Sequence, residues 1–213
     1  CVNVMAGEPV ISDTNEIKKI LNGEYFTRQN VFSLVDYDYF GWLNNSPYVE
    51  QIVGSVVELQ HRLVAYDFSR VGETDIFGRL LAQLANKEHR LMLGQEFTPH
   101  WVAQDIVEYN MDLLTGNSPR IVDMCCGSGV FLIESIKAVR RQYDIVPERY
   151  STEKDDIVFS CVMGFDIDPL AVMLAKVNWV MAMRDLFSVH HGDITVPIYH
   201  ADSLFVATPI THQ

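Results

Sequence analysis

A glycine-rich turn is the part of this 213-residue sequence best suited to chemistry. It follows a short apolar run, opens with an acid at Asp123, carries Gly127 and Gly129, and leads into an amphipathic stretch that extends to about Val139. This order predicts a strand, a turn and a helix. Glycine allows a positive φ and close approach of a ligand, and the first helical turn offers free N–H groups. The pattern therefore predicts a nucleotide-like ligand above the turn.

The acid before the glycines distinguishes between ligand classes. A dinucleotide site has the pattern G-x-G-x-x-G, but Leu132 stands where the third glycine would be. The carboxylate of Asp123 disfavours a pyrophosphate and favours a ligand that carries a cation. S-adenosylmethionine (SAM) has an ammonium and a sulfonium group and no phosphate. The sequence therefore favours SAM over NAD.

A second acid, Asp166, ends the apolar run 158–165, which predicts a buried parallel strand. Asp168 and Pro169 then form a typical helix start. Ligands of open α/β sheets bind at the carboxyl ends of strands, so Asp166 can accept both ribose hydroxyls and Ile167 can lie against an adenine ring. The alternative is a capping pair without a ligand.

A third acid, Asp202, follows the apolar run 194–201. Asp202 can accept a hydrogen bond from the exocyclic amine of the cofactor, with Phe205 packed nearby. Pro197 has no N–H to donate, which favours a strand that starts only after it. The alternative is an acidic turn.

An upstream segment, Phe97-Thr98-Pro99, predicts the start of a helix that extends to about residue 115. Because few residues separate this segment from Asp123, we expect Phe97 and Thr98 to lie over the same pocket as the glycine-rich turn. The alternative is a plain helix cap.

Together, in this order, the four segments resemble the DNA adenine-N6 methyltransferases of type I and type IIG restriction-modification systems. Residues 94–99 resemble that family's G-x-(Y/F)-(Y/F)-T-P motif, and residues 123–132 its D-P-x-x-G-S-G-x-F-L motif, with Met124 in place of proline. Residues 164–169 are similar to G-x-(D/E)-(I/L)-(D/N)-P, and residues 202–204 to D-(S/A)-L. The resemblance covers about residues 75–205. The cofactor-binding residues that it implies are Phe97, Thr98, Pro99, Asp123, Cys125, Gly127, Ser128, Gly129, Phe131, Asp166, Ile167, Asp202 and Ser203.

The chain departs from the family at the catalytic motif (N/D)-P-P-(Y/F/W). The sequence contains no Pro-Pro pair. In the family this motif holds the target amine and stacks on the flipped base. No catalytic residue is therefore predicted here, and we expect the chain to be part of a longer protein.

The composition bears on partners and compartment. The net charge of −12 argues against a phosphate-gripping surface, because affinity for DNA normally comes from Lys and Arg. We therefore expect regions outside this chain to bind double-stranded DNA. Specificity or nuclease subunits or domains are the other expected partners. The sequence lacks an apolar run of 18 residues and a C-x-x-C pair, so no membrane partner, disulfide framework or metal site is predicted, and the expected compartment is cytoplasmic.

The predicted fold is α/β, a partial Rossmann-like SAM-dependent methyltransferase sheet preceded by a mainly helical N-terminal region. We expect the helical region over residues 1–93, with helices over 47–66 and 75–93, and the SAM-binding part over residues 94–213. Residues 140–157 are expected to form a long loop.

The resulting hypothesis is the SAM-binding portion of a site-specific DNA adenine-N6 methyltransferase of a restriction-modification or related defence system, inactive on its own. One alternative is a non-catalytic SAM-binding or assembly subunit. Another is a methyltransferase that acts on RNA or protein. An NAD oxidoreductase is the least favoured.

Overall fold

The computed structural model describes residues 13–35, 41–44, 47–66, 77–78, 98–114 and 118–204. The described helices and strands follow one another in the order α1 (Thr14–Leu21), α2 (Glu24–Thr27), β1 (Val31–Phe32), α3 (Tyr48–Val64), α4 (His100–Met111), β2 (Ile121–Asp123), α5 (Val130–Gln142), α6 (Thr152–Ser160), β3 (Val162–Asp166), α7 (Pro169–Met183), β4 (Ile194–Thr195) and β5 (Ile198–His200). Short 3-10 helices cover Gly41–Asn44 and Pro147–Arg149.

The central element is a parallel sheet of three strands in the order β2-β3-β5. Each crossover moves in the same direction across the sheet, and right-handed crossovers then place their helices on one face. Helices α5 and α7 pack on the sheet and on each other, and α4 packs along α5. The prediction of an α/β chain with parallel strands is confirmed.

The hydrophobic core lies between these helices and the sheet. Trp179, Leu132, Ile136 and Ile198 are among its fully buried side chains. On the opposite face of the sheet, Val122 and Met163 are register partners and are 52% and 38% exposed. In the described part of the chain, the hydrophobic core therefore covers only one face of the sheet.

Packing of β3 against α5 requires a residue without a side chain. A Cβ at Gly164 would lie 2.7 Å from Cδ1 of Leu132 and 3.1 Å from Sγ of Cys126. Heavy atoms do not approach that closely without a shift in a dense core. The glycine of the predicted third motif therefore has a packing role.

The N-terminal segment joins this body through a second, two-stranded parallel sheet. Strand β1 pairs with β4, with Val31 opposite Ile194. The side chains of Tyr25, Phe26 and Val31 belong to the same hydrophobic cluster as those of α5 and α7. The predicted helix over residues 47–66 is confirmed as α3, whereas most of 75–93 lies outside the described residues, as does the predicted boundary near 93.

Two local predictions were wrong. Residues 140–157, predicted as a loop, contain the end of α5, a 3-10 helix and most of α6. The predicted strand over 158–165 begins only at Val162, because Val158 is buried as part of helix α6. A short apolar run does not distinguish a buried strand from a buried helix.

The chain changes sheets at Pro197, which was not predicted, but the prediction that a strand starts only after this proline is confirmed. Strand β4 ends at Thr195 and β5 begins at Ile198. Among the described residues, none of the helices combines the length and the apolar character that crossing a membrane needs.

Candidate functional site

Asp123 is the last residue of β2, and one of its two carboxylate oxygens accepts a hydrogen bond within the protein. Its Oδ1 accepts a hydrogen bond from the N–H of Cys125 at 3.1 Å, whereas the buried Oδ2 has no hydrogen-bond partner among the described residues. Burial raises the pKa of Asp123 above its usual range, the Cys125 N–H partly opposes this, and the negative charge of Asp166 adds to it. This geometry suits a cationic hydrogen-bond donor.

The turn after β2 has the backbone that its glycines predict. Gly127 has φ +53° and Gly129 has φ +90°. A Cβ on Gly129 would lie 3.2 Å from that of Ala175 in α7, whereas a Cβ on Gly127 would have no atom of the described residues within 4 Å. Gly127 is therefore the point of the turn that a ligand can approach most closely.

Ser128 faces the protein rather than the open space. It is buried, and its carbonyl accepts a hydrogen bond of 2.8 Å from Nδ2 of the buried Asn178. Asn178 thereby fixes the turn to α7.

Asp166 ties the loops after β2 and β3 together. Its Oδ2 accepts a hydrogen bond from the N–H of Gly127 at 2.7 Å, and its Oδ1 accepts one from the N–H of Asp168 at 2.9 Å. Asp168 caps α7 through the N–H of Leu170 at 2.9 Å, as predicted. Each carboxylate oxygen has a second lone pair, so Asp166 can still accept hydrogen bonds from a ligand.

The third strand delivers Asp202 and Ser203 to the same edge. The N–H of Ala201 donates to the carbonyl of Asp166 at 3.0 Å, and Oδ1 of Asp202 accepts from the N–H of Leu204 at 3.0 Å. Oγ of Ser203 lies 4.0 Å from Sγ of Cys125. The structure therefore brings together three segments that are far apart in the sequence.

Apolar side chains border this edge. Ile167, which follows Asp166, is 67% exposed and offers an apolar contact surface. Phe131 lines an apolar cavity of about 260 Å³ between α4, β2 and α5, which Asp123 also borders. Phe205 lies outside the described residues.

The upstream segment lies at the same end of the structure as the candidate site. Pro99, not Thr98, is the cap of α4, which begins at His100, and Phe97 lies outside the described residues. His100 contacts Glu134 near the start of α5, and Glu108 contacts Arg141 near its end. The two helices therefore run in the same direction, and Thr98 lies at the end where the glycine turn precedes α5.

The neighbouring cysteines differ in environment. Cys125 is exposed and Cys126 is buried, and burial raises the pKa of the Cys126 thiol, with Asp166 and Asp123 adding to the effect. Burial raises the pKa of Cys161 to about 12. Among the described residues no group of acids, histidines and cysteines is placed to hold a metal ion.

Two buried polar residues, Asn178 and Glu134, were missed by the sequence reasoning. Each stands among apolar residues of its helix and is almost fully buried. A polar residue on an apolar helical face needs a partner, and that position was the available signal.

The N-6 DNA Methylase family model matches residues 72–208, more than half of the chain. A solved crystal structure of a modification subunit, assigned to a type I restriction enzyme of Vibrio vulnificus YJ016, is 24% identical, covers 74% of the chain and superimposes with a TM-score of 0.43. The chain spans 28% of that subunit's length, and none of the curated proteins matches it significantly. The chain belongs to the N-6 DNA methylase family.

Proposed function

We propose that this chain is the SAM-binding portion of a DNA adenine-N6 methyltransferase of a restriction-modification or related defence system. The observation that carries the proposal is the buried Oδ2 of Asp123, which has no hydrogen-bond partner among the described residues and lies beside the space over Gly127. An unpaired buried carboxylate oxygen is costly, and a ligand with an ammonium group removes that cost.

The charges of the site support SAM over phosphate-bearing cofactors. The segments 123–129, 166–168 and 201–204 contain four aspartates and no Lys or Arg. Asp123 and Asp166 already repel each other's negative charge. A ligand with an ammonium and a sulfonium group relieves this repulsion, whereas a pyrophosphate would increase it.

In this proposal, each segment contacts a different part of the cofactor. Asp123 and the Gly127 backbone hold the methionine portion, Asp166 takes the ribose hydroxyls, and Asp202 takes the adenine amine. Ile167 lies against the adenine ring. The remaining predicted contacts surround these groups through Phe97, Thr98, Pro99, Cys125, Gly129, Phe131 and Ser203, whereas the buried Ser128 supports the turn from behind through its bond to Asn178. When bound, SAM supplies an activated methyl group.

The parallel strands β2, β3 and β5, with α5 and α7 on one face, fit part of a Rossmann-like methyltransferase sheet. Residues 94–213 form the SAM-binding part in this proposal, and residues 1–93 form the N-terminal region attached to it. The β1–β4 pairing supplies that attachment.

DNA recognition and base positioning are assigned to parts of the protein outside this chain. The net charge of −12 disfavours a phosphate grip by these residues. The N6 amine of adenine is a weak nucleophile, so catalysis depends on positioning and on carbonyl contacts more than on a strong base. Specificity and nuclease subunits are the corresponding proposed partners.

Calorimetry with the intact protein tests the cofactor assignment. We expect SAM and S-adenosylhomocysteine to bind and NADH not to bind, because NADH brings a pyrophosphate to the aspartates. Binding of NADH without SAM would overturn the assignment.

Transfer of tritium from methyl-labelled SAM tests the substrate assignment. The label should appear in the N6-methyladenine of duplex DNA. Label in RNA or protein alone would replace DNA as the substrate, and SAM binding without any transfer would favour a non-catalytic subunit.

A further inference from the structure

A cluster of His100, Lys137 and the buried Glu134 joins the start of α4 to α5. Oε1 of Glu134 lies 2.7 Å from Nε2 of His100 and 2.8 Å from Nζ of Lys137. Nζ of Lys137 also lies 3.3 Å from Nε2 of His100. His100 and Lys137 therefore share one carboxylate oxygen of Glu134.

The burial of Glu134 makes these contacts a strong constraint. Its side chain is 2% exposed, whereas those of His100 and Lys137 are 31% and 22% exposed. A buried carboxylate needs partners that replace its hydration, and removal of a partner is far more costly there than at the surface. A carboxylate oxygen only accepts hydrogen bonds, so the contact of 2.7 Å is a hydrogen bond when Nε2 of His100 carries the proton.

The cluster lies at the start of α4, close to Thr98 of the proposed site. His100 is the first residue of α4, two residues after Thr98. A second contact joins the same helices about two turns later, where Arg141 lies 2.9 Å from Glu108, but both of those side chains are about half exposed. An exposed ion pair contributes little, so of these two polar contacts the one to the buried Glu134 holds α4 more strongly, and it lies at the beginning of the helix.

We propose that His100 and Glu134 are positioning residues that hold Thr98 against the methionine end of bound SAM. This inference rests on the proposed function, in which Thr98 covers that part of the cofactor. It goes further by assigning a role to two residues that make no cofactor contact in the proposal. The adenosine end depends on Asp166 and Asp202, so loss of the cluster should affect only one end of the ligand.

The test compares two ligands by calorimetry on the intact protein. SAM has a methionine portion, and 5′-methylthioadenosine lacks the amino acid group. In His100→Ala we expect SAM to bind about tenfold more weakly, the effect of about one lost charge-assisted hydrogen bond. Binding of 5′-methylthioadenosine should change by less than about twofold, a difference of only a few tenths of a kcal/mol. Alanine is a strong helix former, and Lys137 still pairs with Glu134, so the variant keeps α4 and a partnered carboxylate.

Three further variants sharpen the comparison. Glu108→Ala removes the exposed α4–α5 contact from the same helix and should leave both affinities unchanged. His100→Gln retains an N–H donor and should recover part of the SAM affinity, whereas Glu134→Gln should show the same selective loss as His100→Ala. An equal loss for both ligands, or no loss in His100→Ala, would overturn the positioning role. If the unaltered protein binds neither ligand, the proposed function itself fails.

Discussion

At the scale of single residues, Asp123 is the acid whose charge the fold disfavours. Burial and the nearby Asp166 raise its pKa, so the folded protein holds the proton more tightly than the unfolded chain does. The corresponding stability is present below the ordinary aspartate pKa of about 4 and is lost as the pH rises through the folded pKa. The charged form at neutral pH therefore destabilises the fold.

Thermal unfolding of Asp123→Asn should show the destabilising effect of this charge. The variant should melt at a higher temperature than the unaltered protein near pH 7, and the difference should vanish as the pH falls below about 4. SAM binding should become weaker in the same variant, because the amide does not attract the ammonium. A variant that melts lower near pH 7 would contradict the pKa direction.

Asp166 is a junction as well as a ligand candidate. Its two oxygens already accept the N–H groups of Gly127 and Asp168. We expect Asp166→Ala to weaken SAM binding by about 1–3 kcal/mol, the effect of losing charge-assisted hydrogen bonds. Calorimetry measures this directly, and an unchanged affinity would remove Asp166 from the site.

At the scale of elements, the contact between β3 and α5 depends on Gly164. In Gly164→Ala the new methyl group meets Leu132 and Cys126 in a closed space. We expect the free energy of unfolding to fall by about 1–3 kcal/mol, the usual effect of overpacking, in urea denaturation.

Gly127→Ala is the matched control for that variant. Its methyl group would point into open space, although its left-handed backbone would be strained by about 1–2 kcal/mol. We therefore expect the two glycines to differ in binding: SAM affinity should fall strongly in Gly127→Ala and little in Gly164→Ala. The reverse order would contradict the ligand position above the turn.

Several element boundaries were predictable from the sequence because each carries a local signal. Asp123 precedes glycines at the end of β2, Asp168 precedes the proline that begins α7, and Pro197, which lacks a donor, precedes β5. Helix α6 was not predictable, because its apolar residues fit a strand equally well over so short a run. The pairing of β1 with β4 was also missed, since two-residue strands have no detectable period.

The site was predictable to the extent that it consists of sequence motifs. The resemblance indicated which acids lie at the strand ends, and the structure places Asp123, Asp166 and Asp202 at one edge. The ties that hold this edge were not predictable. The bonds from Asn178 to the Ser128 carbonyl and from His100 to Glu134 depend on how helices pack.

At the scale of the whole molecule, a buried lysine joins the N-terminal segment to the body formed by the three-stranded sheet and its helices. Nζ of Lys176, a residue of α7 that is 3% exposed, donates a hydrogen bond to the carbonyl of Ser33 at 2.5 Å. Ser33 has φ +59°, a left-handed conformation that few non-glycine residues adopt. The lysine therefore helps to hold the turn that follows β1.

Lys176→Met should loosen this attachment without unfolding the body. The N–H groups of Ile194 and Val196 donate to the carbonyls of Asn30 and Phe32, so their hydrogen exchange should accelerate. The N–H of Ile121, which donates to Cys161 inside the main sheet, is the internal control. Equal acceleration at all three amides would mean that Lys176 stabilises the whole body instead.

The most direct test of the central claim is the electron density of the intact protein crystallised with SAM. Density should lie above Gly127, with the amino group against Asp123, the ribose at Asp166 and the adenine beside Ile167 and Asp202. Density for SAM at any other place, with these three aspartates uncontacted, would contradict the account.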